Sequence, residues 1–80
     1  MQQTSTNLAG KIREIASRIK ELRQIEGFTE AQIAAKTGVS EEEYRRYESG
    51  ELDLNFAFLY TCAQALNVDV TELIEGAPPT

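Results

Sequence analysis

Ile12, Ile15, Ile19 and Leu22 fall three or four residues apart, with Ala16 beside them. That spacing returns side chains to one face of an α-helix, and it predicts a helix from about Gly10 to Gln24 or Ile25 with a single buried stripe. Gly27 follows as a stop, because glycine accepts the left-handed backbone that often ends a helix. Thr29 and Gln32 have capping-box spacing and predict a second helix running through Ile33, Ala34 and Lys36 to Thr37. Gly38 permits a tight turn. Ser40 and Glu43 form a second capping box, in which two otherwise orphaned amides are satisfied reciprocally, and Gly50 closes the third helix that it opens. Asn55 is a cap for a fourth helix through Leu66, with Phe56, Leu59, Cys62, Ala63 and Leu66 as its buried face. Asp69 and Glu72 repeat the capping pattern for a short fifth helix containing Leu73 and Ile74. No run alternates with period two, and no internal repeat is visible. The expected fold is all-α, a compact bundle of five short helices.

Eighty residues suffice for one small core and no more. Residues 1–9 are polar and aperiodic and read as a flexible N-terminal arm. Residues 10–75 form the bundle, and the two prolines in 76–80 make that stretch a linker or tail. Hydrophobic content of 41% is that of an ordinary globular chain, and no apolar run reaches the length of a membrane span. MQQTSTNLAG has no basic segment followed by an apolar one, so no signal peptide is expected. Cys62 is the single cysteine and there is no histidine. Those counts exclude an internal disulfide, a multi-cysteine zinc site and imidazole chemistry. With no nucleophile–base pair or Gly-rich phosphate loop either, no catalytic, metal or cofactor site is expected, and a reducing cytoplasmic setting fits.

Charge complicates this plain picture. The chain carries −5 overall, and the charge is unevenly placed. Residues 1–27 hold five basic and three acidic side chains, residues 28–55 three basic and seven acidic, and residues 56–80 three acidic alone. The most acidic segment is therefore the one spanning the second and third helices.

Those two helices, with Gly38 between them, have the order of a helix-turn-helix, the arrangement that places a helix in the DNA major groove. From Ile15 to Ile74 the chain resembles the phage repressor and Cro group, the XRE family of bacterial regulators. The likeness rests on I-x-x-L-R from Ile19 to Arg23, on Gly27-Phe28-Thr29, and on I-A-x-K-T-G-V-S from Ile33 to Ser40. It extends through Tyr47-Glu48-Ser49-Gly50 and Ala63-x-Ala65-Leu66-x-Val68. Ordered landmarks over most of the chain are a specific signal. The resemblance implies a lambda-repressor-like five-helix bundle whose third helix reads double-stranded DNA, an ion pair between Arg23 and Glu48, and a homodimer in the full-length protein. YESGELDLNFAFLY and ALNVDVTELIEG are also similar to the N-terminal domains of regulators fused to a cupin barrel.

By that resemblance the DNA-facing positions are Glu30, Ser40, Glu41, Glu42, Arg45, Arg46 and Ser49. Glu30 stands where the family usually has a phosphate-binding glutamine, and Glu41 and Glu42 open the third helix. A carboxylate can accept from cytosine N4, but several carboxylates beside phosphates repel. Arg46 matches a base-reading position, and arginine grips guanine O6 and N7 in bidentate fashion. Ser40 and Ser49 can hold phosphates. Lys11, Arg13, Arg18 and Lys20 read as a separate basic face on the first helix. Plainer roles stand beside these. Glu41–Glu43 complement the helix dipole, Arg45 and Arg46 are in reach of Glu42 and Glu43 for intrahelical pairs, and Tyr44, Tyr47 and Cys62 suit the core. Two functions follow: a DNA-binding domain of a transcriptional regulator, or a degenerate, acidic helix-turn-helix serving as a protein-interaction or dimerisation module of a larger protein.

Overall fold

The computed structural model describes the backbone of residues 3–76 and the side chains of residues 8–76. Among these residues the chain forms five helices and no strand: α1 (Gln3–Glu26), α2 (Glu30–Thr37), α3 (Glu41–Glu48), α4 (Phe56–Leu66) and α5 (Val70–Glu75). The all-α expectation is met, and four of the five helices start within a residue of where the caps place them. The exception is α1, which begins at Gln3 rather than near Gly10, so residues 3–9, read as an arm, are helical. Once a helix is nucleated each added turn is inexpensive, and the polar residues before Gly10 contain no proline to stop it. Of the stretch read as a tail, residues 77–80 lie outside the described residues.

α1 packs across α3, α4 and α5, while α2 packs on α3 and α4. Ile15, Ala16 and Ile19 bring the stripe of α1 into a common core with Ile33, Ala34, Tyr44, Tyr47, Phe58, Leu59, Cys62, Leu66 and Leu73. On α4 the buried face differs from the sequence reading. Phe56 is 64% exposed, whereas Phe58 is 5% exposed. The cause is the cap. The Asn55 carboxamide accepts from the Phe58 amide at 2.8 Å, which makes Phe56 the first helical residue and turns it outward. Phe58, Leu59, Cys62, Ala63 and Leu66 then share one stripe. Phe58 stacks on Tyr47 at 3.9 Å between ring centroids and tilts against Tyr44 at 6.2 Å, so two rings of α3 hold one ring of α4.

Candidate nucleic-acid interface

The turn between α2 and α3 is fixed by local chemistry. Thr29 Oγ1 accepts from the Gln32 amide at 3.1 Å, and Gln32 Oε1 accepts from the Thr29 amide at 2.9 Å, which closes the predicted capping box. Gly38 takes φ 80°, and its amide and that of Val39 both donate to the Ala34 carbonyl at 2.9 and 3.1 Å. A β-carbon is strained at that φ, so glycine is the residue this turn requires. Ser40 Oγ then accepts from the Glu43 amide at 3.1 Å and starts α3. The second predicted box is only half formed: among the described residues the Glu43 carboxylate makes no bond back to the Ser40 amide. An exposed carboxylate keeps its hydration unless the gain from the bond exceeds it.

Burial of Tyr44 and Tyr47 dictates which face of α3 is left outside. Glu48, at the end of the same helix, closes a buried network. Arg23 Nε and Nη2 donate to its two carboxylate oxygens at 2.8 and 3.1 Å, and the Tyr44 hydroxyl donates to Oε2 at 2.5 Å. Arg23 Nη1 also donates to the Phe28 carbonyl at 2.8 Å, tying the entry of α2 to the end of α3. The Arg23–Glu48 pair is thus as the resemblance implied, and the tyrosine hydroxyl is a third member that the sequence reading placed only as core. Its hydrogen bond to Glu48 was legible in the i,i+4 spacing. Bonding to Glu48 holds the Arg23 guanidinium above its ordinary range. Burial first, and the Glu48 carboxylate second, push the Tyr44 hydroxyl upward. The same two causes push the Cys62 thiol up to about 12.

The outer face brings the predicted residues together, but it gives Arg45 and Arg46 different roles. Arg45 bridges two helices: its Nε meets Glu30 Oε1 at 3.0 Å and its Nη2 meets Glu41 Oε2 at 2.6 Å. The partner expected from α3 was Glu42 or Glu43, and the observed ones are Glu41, one turn back, and Glu30 at the start of α2. The Glu30 hydrogen bond, then the Glu41 charge, hold this guanidinium above its usual range. Arg46 is held more loosely, by Glu42 at 3.4 Å and Glu51 at 3.9 Å, with half its side chain exposed. Ser49 Oγ donates to the Arg46 carbonyl at 3.1 Å, so its proton is engaged by the helix end, while Ser40 lies exposed at the opposite end of α3.

The basic face expected on α1 is not one face. At about 100° per residue, positions two apart diverge by about 200°. Lys11 and Arg18 share one side, where both meet Glu14 at 3.6 and 2.7 Å and Arg18 also donates to the Leu73 carbonyl at 2.6 Å. Arg13 and Lys20 share the other. Arg13 Cγ lies 3.3 Å from where a β-carbon would stand on Gly50, and Lys20 lines a groove with Glu30, Arg45, Arg46, Ser49 and Glu51. Two cations from α1 therefore border the end of α3. Spacing within α1 pairs Arg13 with Lys20, but only the packing of α1 on α3 shows that they arrive here.

A capped helix, a glycine turn and a second capped helix with a charged outer face define the helix-turn-helix class. A family model described as helix-turn-helix matches residues 19–73, more than half of the chain, and the protein belongs to this XRE/Cro-like family. The family is one of DNA-binding regulatory domains and is not normally enzymatic. A search of the curated proteins gave no match.

Proposed function

We propose that this chain is the DNA-binding domain of a bacterial transcriptional regulator, acting in the cytoplasm as a homodimer, and that Arg46 is its principal base-reading residue. The observation that carries this reading is the looseness of Arg46, with contacts of 3.4 and 3.9 Å to exposed carboxylates. Exposed ion pairs of that kind contribute only about 0.2–1 kcal/mol, whereas a bidentate arginine–guanine contact discriminates by about 1–3 kcal/mol. Exchange of Glu42 and Glu51 for a guanine edge is therefore favourable. Arg45, bonded across α2 and α3, acts as a brace and leaves its carboxylate partners Glu30 and Glu41 neutralised rather than facing phosphate bare. Ser40, Arg13 and Lys20 supply phosphate contacts at the two ends of α3.

Selection from random duplexes at low salt tests the reading. A sequence preference is expected, centred on G·C pairs, and Arg46→Ala should lower specific affinity by about 1–3 kcal/mol while relaxing the preference at one base pair. Absence of any enrichment over an unrelated acidic protein overturns it. The acidic charge of residues 28–55 supports the second reading, a protein-interaction module, which gains if the selection fails.

A further inference from the structure

Arg46 stands between two concavities of the outer face. One holds Lys20, Glu30, Arg45 and Ser49, and every side chain lining it is charged or carries a hydroxyl. The other, of about 360 Å³, lies on the side of Glu43 and is walled by Ser40, Glu42, Glu43, Arg46 and Leu52. Leu52 is the one apolar wall of the pair. Its place is fixed by the turn that ends α3. Gly50 takes φ 85°, and the amides of Glu51 and Leu52 then both donate to the Arg46 carbonyl, at 2.9 and 3.2 Å. One flank of the half-buried leucine packs on the core, and the other is left to the concavity. An apolar surface is thereby anchored to the residue whose guanidinium is most loosely held.

We propose that Leu52 reads the methyl group of a thymine in the base pair next to the guanine taken by Arg46. The inference rests on the DNA-binding reading above and adds a second specificity-determining residue to it. In the major groove the base edges present hydrogen-bond donors and acceptors, and the thymine C5-methyl is the one methyl group among them. Charged and hydroxyl walls gain nothing from it, whereas an apolar wall and a methyl group both leave water when they meet. Stacked pairs follow at about 3.4 Å, so the pair beside the guanine lies under the same turn of protein. The methyl also projects from the base edge towards the protein, which suits a side chain shorter than arginine. The preference has a direction. Thymine is favoured on the side of Ser40 and Glu43, and the concavity without an apolar wall confers none.

The test uses the 80-residue chain and the duplex recovered by selection. Thymines are replaced one at a time by deoxyuridine, which removes only the methyl group, and affinities are read by fluorescence anisotropy. The wild type should lose about three- to fivefold at one thymine beside the guanine and less than about twofold at the others. Leu52→Ala should bind the thymine and uracil duplexes alike, and the smaller change Leu52→Val should give an intermediate ratio. Leu54→Ala, which takes a second half-buried leucine of the same loop from the same core, should keep the wild-type loss. Each protein is compared with itself on two duplexes, so a reduced folded fraction cancels from the ratio. A wild type indifferent to uracil, or a loss undiminished in Leu52→Ala and Leu52→Val, overturns the inference and leaves the DNA-binding reading standing. Selection without enrichment overturns both.

Discussion

Replacing Glu42 and Glu51 together by glutamine removes both carboxylates that hold Arg46, without touching the core, since their side chains are 75% and 67% exposed. At 3.4 and 3.9 Å in a medium close to water, each attraction is about 1 kcal/mol before screening and side-chain entropy reduce it. Measured exposed pairs give about 0.2–1 kcal/mol, so freeing Arg46 contributes about 1 kcal/mol in all. Two fewer negative charges beside the phosphates add a comparable gain at low salt. DNA affinity should therefore rise by about 1–2 kcal/mol, roughly five- to thirtyfold. The salt dependence should also steepen, by up to about 0.9 in the slope of log K against log salt. In the wild type a freed carboxylate recaptures a cation when Arg46 leaves it, and in the variant none does. Anisotropy titrations of a labelled duplex from the selection experiment measure both quantities. Glu43→Gln is the control, because Glu43 lies on the same turn and meets no arginine among the described residues. Unchanged or weakened binding in the double variant, or an equal gain in the control, refutes the reasoning.

Glu48→Gln leaves the Arg23 guanidinium buried against a neutral amide, and a loss of about 3–5 kcal/mol is expected in urea unfolding. A chain of this size has a total stability of about 4–12 kcal/mol, so the loss is at least about a quarter of the total. Phe58→Ala should cost about 3–5 kcal/mol, whereas Phe56→Ala should lie within about 0.5 kcal/mol of the wild type; thermal melts of the two distinguish the buried ring from the exposed one. Stability should also fall in mild alkali. The Cys62 thiol ionises near pH 9.0 in the unfolded chain but is pushed up to about 12 by burial and by Glu48 in the folded one. The raised folded value means that its contribution is complete below pH 9 and is lost as pH rises towards 12, on the order of 1 kcal/mol being gone by pH 10. Cys62→Ala should flatten that fall between pH 8 and 10, as read from urea midpoints.

Much of the fold is written in short-range chemistry. Thr29, Ser40, Asn55 and Asp69 each place a helix start, because a capping side chain acts within three residues and needs no knowledge of the rest of the chain. The same locality explains the errors. Near Gly10 there was a glycine but no cap, and the helix ran on to Gln3. On α4 the spacing admitted either phenylalanine to the stripe, and the Asn55 bond decided for Phe58. At the candidate site the intrahelical pair of Arg46 with Glu42 was legible in the spacing, but the pairings between helices were not. Arg45 reaching Glu30 depends on the angle between α2 and α3, and Lys20 reaching the groove depends on how α1 crosses α3. Neither angle is encoded by periodicity along a single helix.

The Arg23–Glu48–Tyr44 network has a consequence for motion. α3 is eight residues long, too short to persist as a helix on its own. Detaching it would strand a guanidinium and withdraw two tyrosine rings from Phe58 at one stroke, so partial opening has no inexpensive intermediate. Its innermost amides should exchange with solvent only through global unfolding, with a protection free energy equal to the global one, not through local fraying. A helix held in this way would meet a binding partner as a rigid body, and adaptation to a surface would fall to the long side chains it carries.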